Sequence, residues 1–419
     1  MLALEYYYSI PRYLALKALS RLFPRRFFPR LAPLRLREVP FVRPCPDWVV
    51  LRPRLCGICG SDLNLLKGME SYLLEPYASF PSILGHEVVA EVVEAPAESD
   101  YHPGERVVVE PLLPCRARGL PPCRFCARGE DNLCEHFTQG KLSPGAILGF
   151  TRGAGGGLAE FMAAPPGNLY RLPPTLSDTG AVLTDSLASA LQPVLDHFPP
   201  DSASVVIYGA GIIGQHLLRA LRALGCGAHL MVVARYPFQE RLAVAGGADR
   251  VLLSPTRRQL AEALGGRFLT TTLGGGNIEG GADFFFDCVG HRNSFQTGLL
   301  ALRARGTYVL VGTAGAVTRV DLSSLWFREL KVTGSAMFAH GTCQGKRVRT
   351  YRLAVDLLAR GDYPTAGLVT HVFPLKNYQK AFQAAFHKPR YQSVKVVVDP
   401  RSGPGNTPKN DGQWKKKPA

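Results

Sequence analysis

The sequence predicts an α/β protein whose second half is a doubly wound parallel sheet, preceded by a region of short strands. Three observations carry this prediction. From Ser204 onward apolar runs alternate with helical stretches, the order of a parallel sheet covered by helices. A glycine-rich turn separates the first of those strands from the first helix. Between residues 31 and 190 the runs are shorter and broken by Pro and Gly, as in a β-rich domain. At 419 residues the chain exceeds one ordinary core, so two domains are expected.

Residues 1–30 are aromatic and basic. Leu14, Leu16, Ala18, Leu19 and Leu22 could line one side of a short helix that stops before Pro24. A docked extension is favoured for this segment over a membrane-surface or partner-binding helix. A transit peptide is disfavoured by Glu5 and the early tyrosines. Next come strand-like runs at Trp48–Leu51, Val88–Val93 and Arg106–Val109. Ser204–Tyr208 reads as a buried strand, Ile212–Leu224 as a helix and Leu230–Ala234 as a second strand. Phe284–Cys288 and Thr307–Val311 continue the alternation, and beyond 335 another strand and helix pattern ends in the strand-like Val394–Val398. Residues 401–419, polar and rich in Gly, Pro and Lys, are expected to be disordered.

The net charge of +16 suggests a polyanion partner until it is located. The first 54 residues hold 11 Lys/Arg against 3 Asp/Glu, and the last 19 hold 5 against 1. The body is close to balanced, so nucleic acid is not expected as a partner. No apolar run reaches the roughly 18 residues of a membrane span. Ten cysteines without a secretory signal, four of them between 115 and 134, point to metal binding in a reducing compartment and to the cytoplasm.

Gly209-Ala210-Gly211-Ile212-Ile213-Gly214 follows the strand SVVIY and opens an apolar helix. That context turns a weak G-x-G-x-x-G pattern into a dinucleotide site. Gly209 permits the turn, Gly211 the approach of a pyrophosphate, and Gly214 close helix–strand packing. The helix N-terminus offers free N–H groups to the phosphates. An Asp or Glu about 20 residues further would bind the ribose of NAD(H). Ala234 and Arg235 stand there instead. A guanidinium suits a 2′-phosphate, so NADP(H) is favoured over NAD(H).

Cys115, Cys123, Cys126 and Cys134 fall in one loop-like stretch. Four thiolates satisfy tetrahedral zinc and leave no open position, which defines a structural site; the alternative is a disulfide pair. CGICGSD at 56–62 and GHE at 85–87 form a second constellation. Cys59 and His86 supply sulfur and imidazole to a catalytic zinc that needs one more ligand. Asp62 and Glu87 are placed to orient those ligands. Ser61 could hydrogen-bond a reacting oxygen.

With GICGSD, ILGHEVVAEVV, the four cysteines, GGLAEFMAAP, GAGIIG and DCVG in view, the chain resembles the zinc-containing medium-chain dehydrogenase/reductase superfamily, its alcohol dehydrogenase-like group, over about residues 34–400. The resemblance implies a GroES-like β-barrel catalytic domain at 34–190, completed by 336–400, and a Rossmann domain at 191–335. Residues 1–33 then form a basic extension. It also implies that Asp185 completes the catalytic zinc site and that Ser61 begins a proton relay, with Ser189 near the nicotinamide. Two positions depart from the family. The first structural cysteine is expected at Leu120, so Cys115 must substitute through a longer loop. The relay histidine is replaced by Asn64, which leaves the proton to the cofactor ribose or water.

The expected activity is hydride transfer between an alcohol and its aldehyde or ketone, using Zn2+ and NADP(H) or NAD(H), in a homodimer or homotetramer. A polyol or amino-alcohol dehydrogenase using NAD(H) is the alternative within that chemistry. Reduction of an activated double bond fits less well, because reductases of that kind generally lack the zinc ligands. A non-catalytic cofactor-binding protein is the rival from another class.

Overall fold

A computed structural model describes residues 1–23, 26–313, 315 and 317–401. Beyond Arg401 the tail expected to be disordered lies outside the described residues.

Six parallel strands form the cofactor-type sheet. Their spatial order is Arg250–Leu253, His229–Ala234, Ser204–Tyr208, Ala282–Asp287, Leu302–Leu310 and Lys331–Gly334. Counted from Ser204–Tyr208, this is the 3-2-1-4-5-6 arrangement of a doubly wound fold. Val205, Val206 and Ile207 are fully buried, because helices cover both faces and leave no polar side to alternate with. The strand Ser204–Tyr208 matches the sequence expectation, and the following helix, Ile212–Ala223, ends one residue earlier than expected.

The other large sheet runs Val369–Pro374, Lys395–Asp399, Val49–Gly57, Glu87–Glu94, Arg106–Val109 and Leu169–Arg171, with Met162–Ala164 also pairing Val49–Gly57. Two of its strands come from the C-terminal end of the chain, so the polypeptide returns to finish the domain it began. The helix Thr184–Asp196 links the two halves. Ten of its residues are buried, Asp185 among them, and it packs on Ile212–Ala223 and Thr350–Ala359.

The N-terminal reading needs correction. Leu2–Tyr6 is the middle strand of a three-stranded sheet, between Leu34–Glu38 and Ser82–Ile83. Ala3 and Leu4 have no exposed surface. The division at 33/34 therefore cuts through one sheet, and the start of the chain is part of the barrel domain. The helix Ile10–Leu22 does form, but Leu16 and Ser20 are its buried residues. Leu14, Ala18 and Leu22 face solvent, so the expected stripe is not the packed face. No helix among the described residues is long and apolar enough to cross a membrane.

Candidate active site

The reactive residues converge on a cleft of about 1800 Å3 between the two sheets. This exceeds the roughly 300–1,000 Å3 of a single small-molecule site, because one end faces the glycine-rich turn and the other the Cys59 region. Cys59 caps the helix Gly60–Lys67. Its backbone N–H donates to Asp62 Oδ2 at 2.9 Å, which ties the first turn to the loop. His86 precedes the strand Glu87–Glu94 and is 4% exposed. Asp185 lies in the first turn of Thr184–Asp196. Ser61 and Ser189 also line the cleft.

The polar atoms here lack partners. Ser61 Oγ, Asp62 Oδ1, His86 Nδ1 and Asp185 Oδ2 are buried and make no hydrogen bond. His86 Nδ1 and Asp62 Oδ1 are 3.9 Å apart, too far for a hydrogen bond. Orphaned buried polar atoms are costly, and four at one point mark a place built to hold something else. Burial, followed by the charge of Glu87, pushes the Cys59 thiol up to about 12. Burial likewise raises the Asp185 carboxyl to about 7, opposed by His86, and raises Asp62. A thiolate and carboxylates that burial would neutralise regain their charge beside a divalent cation. The donor set of sulfur, imidazole and carboxylate suits zinc.

The ligand atoms that fall within 4.8 Å of one another belong to Cys59, His86 and Glu87. That group does not include Asp185. Glu87 has a different partner, however: Lys395 Nζ donates to its Oε1 at 2.6 Å and its Oε2 at 2.5 Å. Both residues are at most 2% exposed. The paired carboxylate is already neutralised, whereas Asp185 is not. Sequence reading missed Lys395, although a single lysine in the apolar strand Lys395–Asp399 was the available signal. It also missed that Asn64 Nδ2 donates to Thr313 Oγ1 at 3.1 Å, which places Asn64 against the cofactor-type domain.

At the cofactor end, Gly209 has φ of +104°, in the region that favours glycine. A Cβ on Gly214 would lie 1.9 Å from Gly209 O, while one on Gly211 would meet nothing within 4 Å. The first contact is packing and the second is vacant space toward the cleft, as a phosphate cradle requires. Ile212, Ile213 and Arg235 also line this end. Arg235 is exposed, its guanidinium 5.6 Å from the Tyr236 ring. No carboxylate lies within 4.0 Å of it among the described residues. Asp287 of the DCVG motif accepts from the N–H groups of Val289 and Gly290 and from Tyr308 Oη. These bonds fix the loop that faces the turn.

The sulfurs of Cys115, Cys123, Cys126 and Cys134 also gather within 4.8 Å. Cys115 Sγ and Cys134 Sγ are 3.6 Å apart, near the ~3.8 Å edge of a tetrahedron with Zn–S of about 2.3 Å. That separation is too long for a disulfide, and all ten cysteines are unbridged. Backbone N–H groups of Cys123, Cys126 and His136 point at Cys115, Cys123 and Cys134 sulfurs respectively. The short helix Cys115–Arg118 folds Cys115 into this group, and it takes the place expected at position 120. Replacing Cys115 by Ser should lower zinc from about two equivalents per chain to about one and reduce the melting temperature. Elemental analysis beside a thermal scan would check this, and unchanged zinc would remove Cys115 from the site.

Residues 45–174 match the alcohol dehydrogenase GroES-like domain family, and residues 213–360 match the zinc-binding dehydrogenase family. The chain belongs to the zinc-containing medium-chain dehydrogenase/reductase superfamily and is an oxidoreductase of its alcohol dehydrogenase-like group, using zinc and a nicotinamide cofactor. It is 27% identical over 376 residues to erythritol/L-threitol dehydrogenase of Mycolicibacterium smegmatis, covering 87% of this chain and 94% of that one. It is 28% identical over 352 residues to D-xylulose reductase A of Aspergillus oryzae, covering 83% and 88%. The 2R,3R-butanediol dehydrogenase of Bacillus subtilis shares the fold, with a TM-score of 0.70 at 22% identity over 96% of this chain and 100% of that one.

Proposed function

We propose that the protein interconverts a secondary alcohol and its ketone with NADP(H), at a zinc held by Cys59, His86 and Asp185. The observation that carries this reading is the set of unpartnered buried atoms on Ser61, His86 and Asp185 at the wall of one cleft, with the unpartnered Asp62 Oδ1 3.9 Å from His86 Nδ1. When bound, zinc supplies Lewis acidity to the substrate oxygen, and the nicotinamide exchanges a hydride with the carbon. The chain's own residues do the rest. Cys59, His86 and Asp185 would hold the metal, and Asp62, whose Oδ1 stands 3.9 Å from His86 Nδ1, is the carboxylate placed to orient the imidazole when the metal is bound. Ser61 Oγ, buried and unbonded, takes the hydroxyl proton in oxidation and returns it in reduction. Asn64 is engaged with Thr313 and has no titratable group, so the proton passes from Ser61 to the cofactor ribose or water. The test is a panel of alcohols, polyols and amino alcohols assayed with NADP+ and NAD+, with zinc content measured in parallel. Loss of turnover on zinc removal and recovery on its return supports the reading; full activity in zinc-free protein overturns it.

Arg235 supports the choice of NADP(H), since it is free of carboxylates at the end of His229–Ala234. Arg235→Glu should raise the KM for NADP(H) on the order of 100-fold, because a bidentate phosphate partner becomes a like charge. The KM for NAD(H) should fall. Steady-state kinetics with both cofactors would decide it, and equal effects on the two would show that Arg235 does not read the 2′-phosphate.

A further inference from the structure

The first hairpin of the barrel domain carries an insertion that reaches the cleft. Leu2–Tyr6 and Leu34–Glu38 are antiparallel neighbours with Tyr6 opposite Leu34, a pairing that a turn of about two to five residues can close. Residues 7–33 stand there instead, with the helix Ile10–Leu22 among them. This helix lies on the end of the helix that Cys59 caps: a Cβ on Gly68 would be 3.1 Å from Tyr13 O and 3.3 Å from Lys17 N. Further along, Phe27 stacks on Phe386 with centroids 5.2 Å apart.

The insertion also holds the segment at the cleft mouth. Tyr8 Oη donates to Glu75 Oε1 at 3.2 Å. Tyr13 meets Tyr72 edge-on at 5.8 Å, and Lys17 Nζ sits 4.4 Å from the Tyr72 ring. Tyr8, Tyr13, Tyr72, Leu74 and Tyr77 all line the cleft. Tyr8, Tyr72, Leu74 and Tyr77 leave between 45% and 55% of their surface uncovered. An apolar surface of this kind, rimmed by hydroxyls, marks a binding wall. Aromatic rings connect it to the zinc ligands, from Tyr6 to Phe80 at 4.6 Å, Phe80 to Phe150 at 6.3 Å and Phe150 to His86 at 5.6 Å.

We infer that the insertion is a specificity element, and that the substrate is an alcohol or ketone with a bulky aromatic or extended apolar substituent seated against Tyr13 and Tyr72. This rests on the dehydrogenase reading above. A compact polyol would reach Cys59 and His86 but leave the wall in water. In an apolar pocket each methylene changes discrimination about 10–200-fold, so the wall is sufficient to select.

The zinc-loaded full chain would be assayed with 4-phenyl-2-butanone and with a four-carbon ketose, and calorimetry would follow binding of 4-phenyl-2-butanol without cofactor. The aryl ketone should be preferred at least tenfold in kcat/KM. Tyr13→Ala and Tyr72→Ala should each cut that preference at least tenfold through KM, while Tyr13→Phe should retain it. Equal use of the two ketones, or an unchanged ratio in both alanine variants, would overturn the inference. If a member of the alcohol panel is turned over and neither ketone is, the inference is overturned; if nothing is turned over, the dehydrogenase reading falls. In that case binding of the aryl alcohol, weakened by Tyr13→Ala, would still support the wall, and no such binding would overturn it.

Discussion

Replacing Cys59 by Ser should lower kcat/KM by at least ~10³-fold and remove about one zinc per chain, leaving the four-cysteine zinc in place. The size of the effect follows from what the site contains. Ser61 Oγ, Asp62 Oδ1, His86 Nδ1 and Asp185 Oδ2 are buried and have no protein partner, so the site is organised around the metal as its electrophile. Asp185→Asn should behave similarly, because the amide removes the carboxylate whose Oδ2 is unpartnered. Glu87→Gln is the discriminating variant. Glu87 lies within the 4.8 Å group, but Lys395 holds both of its oxygens. As an orienting residue it should weaken zinc only about 10–100-fold. Zinc titrations of the three variants would assign the third ligand: both zinc sites filled in Asp185→Asn, with only the four-cysteine site filled in Glu87→Gln, would transfer the role to Glu87.

The parallel half of the fold was the most legible part of the chain. A strand buried on both faces becomes a continuous apolar run, and Ser204–Tyr208 has one; the glycine turn then starts the helix at Ile212. Cys59 and His86, proposed to hold the metal, stood out by their motifs, because CGICGSD and GHE each bring a candidate ligand and a carboxylate together over a few residues. The N-terminal strand was not legible. LALEY is short, and one of the strands it pairs with, Ser82–Ile83, lies far along the chain, so local pattern cannot reveal it. Lys395 was hidden for the same reason: its meaning depends on Glu87, brought next to it only when the chain returns to the first sheet. Asp185 came from family position rather than pattern, and the structure buries its carboxyl at the cleft outside the tightest ligand group.

That buried pair is the basis of the second large prediction. Lys395→Met should destabilise the zinc-loaded protein by about 3–5 kcal/mol, because it strands the Glu87 charge without its partner. The pocket around Glu87 is tight: a Cβ on Gly57 would lie 1.9 Å from Glu87 Oε2, so relaxation or entry of water is restricted. Glu87→Met alone should cost a comparable amount by leaving the ammonium buried instead. Restoring neutrality should recover stability, so the double variant Glu87→Met, Lys395→Met should be more stable than the single Lys395→Met. Activity should not recover with it, because the carboxylate that faces Cys59 and His86 would still be absent. Denaturant unfolding of the four proteins, read as a double-mutant cycle beside kcat/KM, separates the two contributions. Additive stability changes would show that Lys395 and Glu87 act independently. Recovery of activity together with stability would show that the pair serves only to hold the sheet, and that Cys59, His86 and Asp185 need no charge behind them.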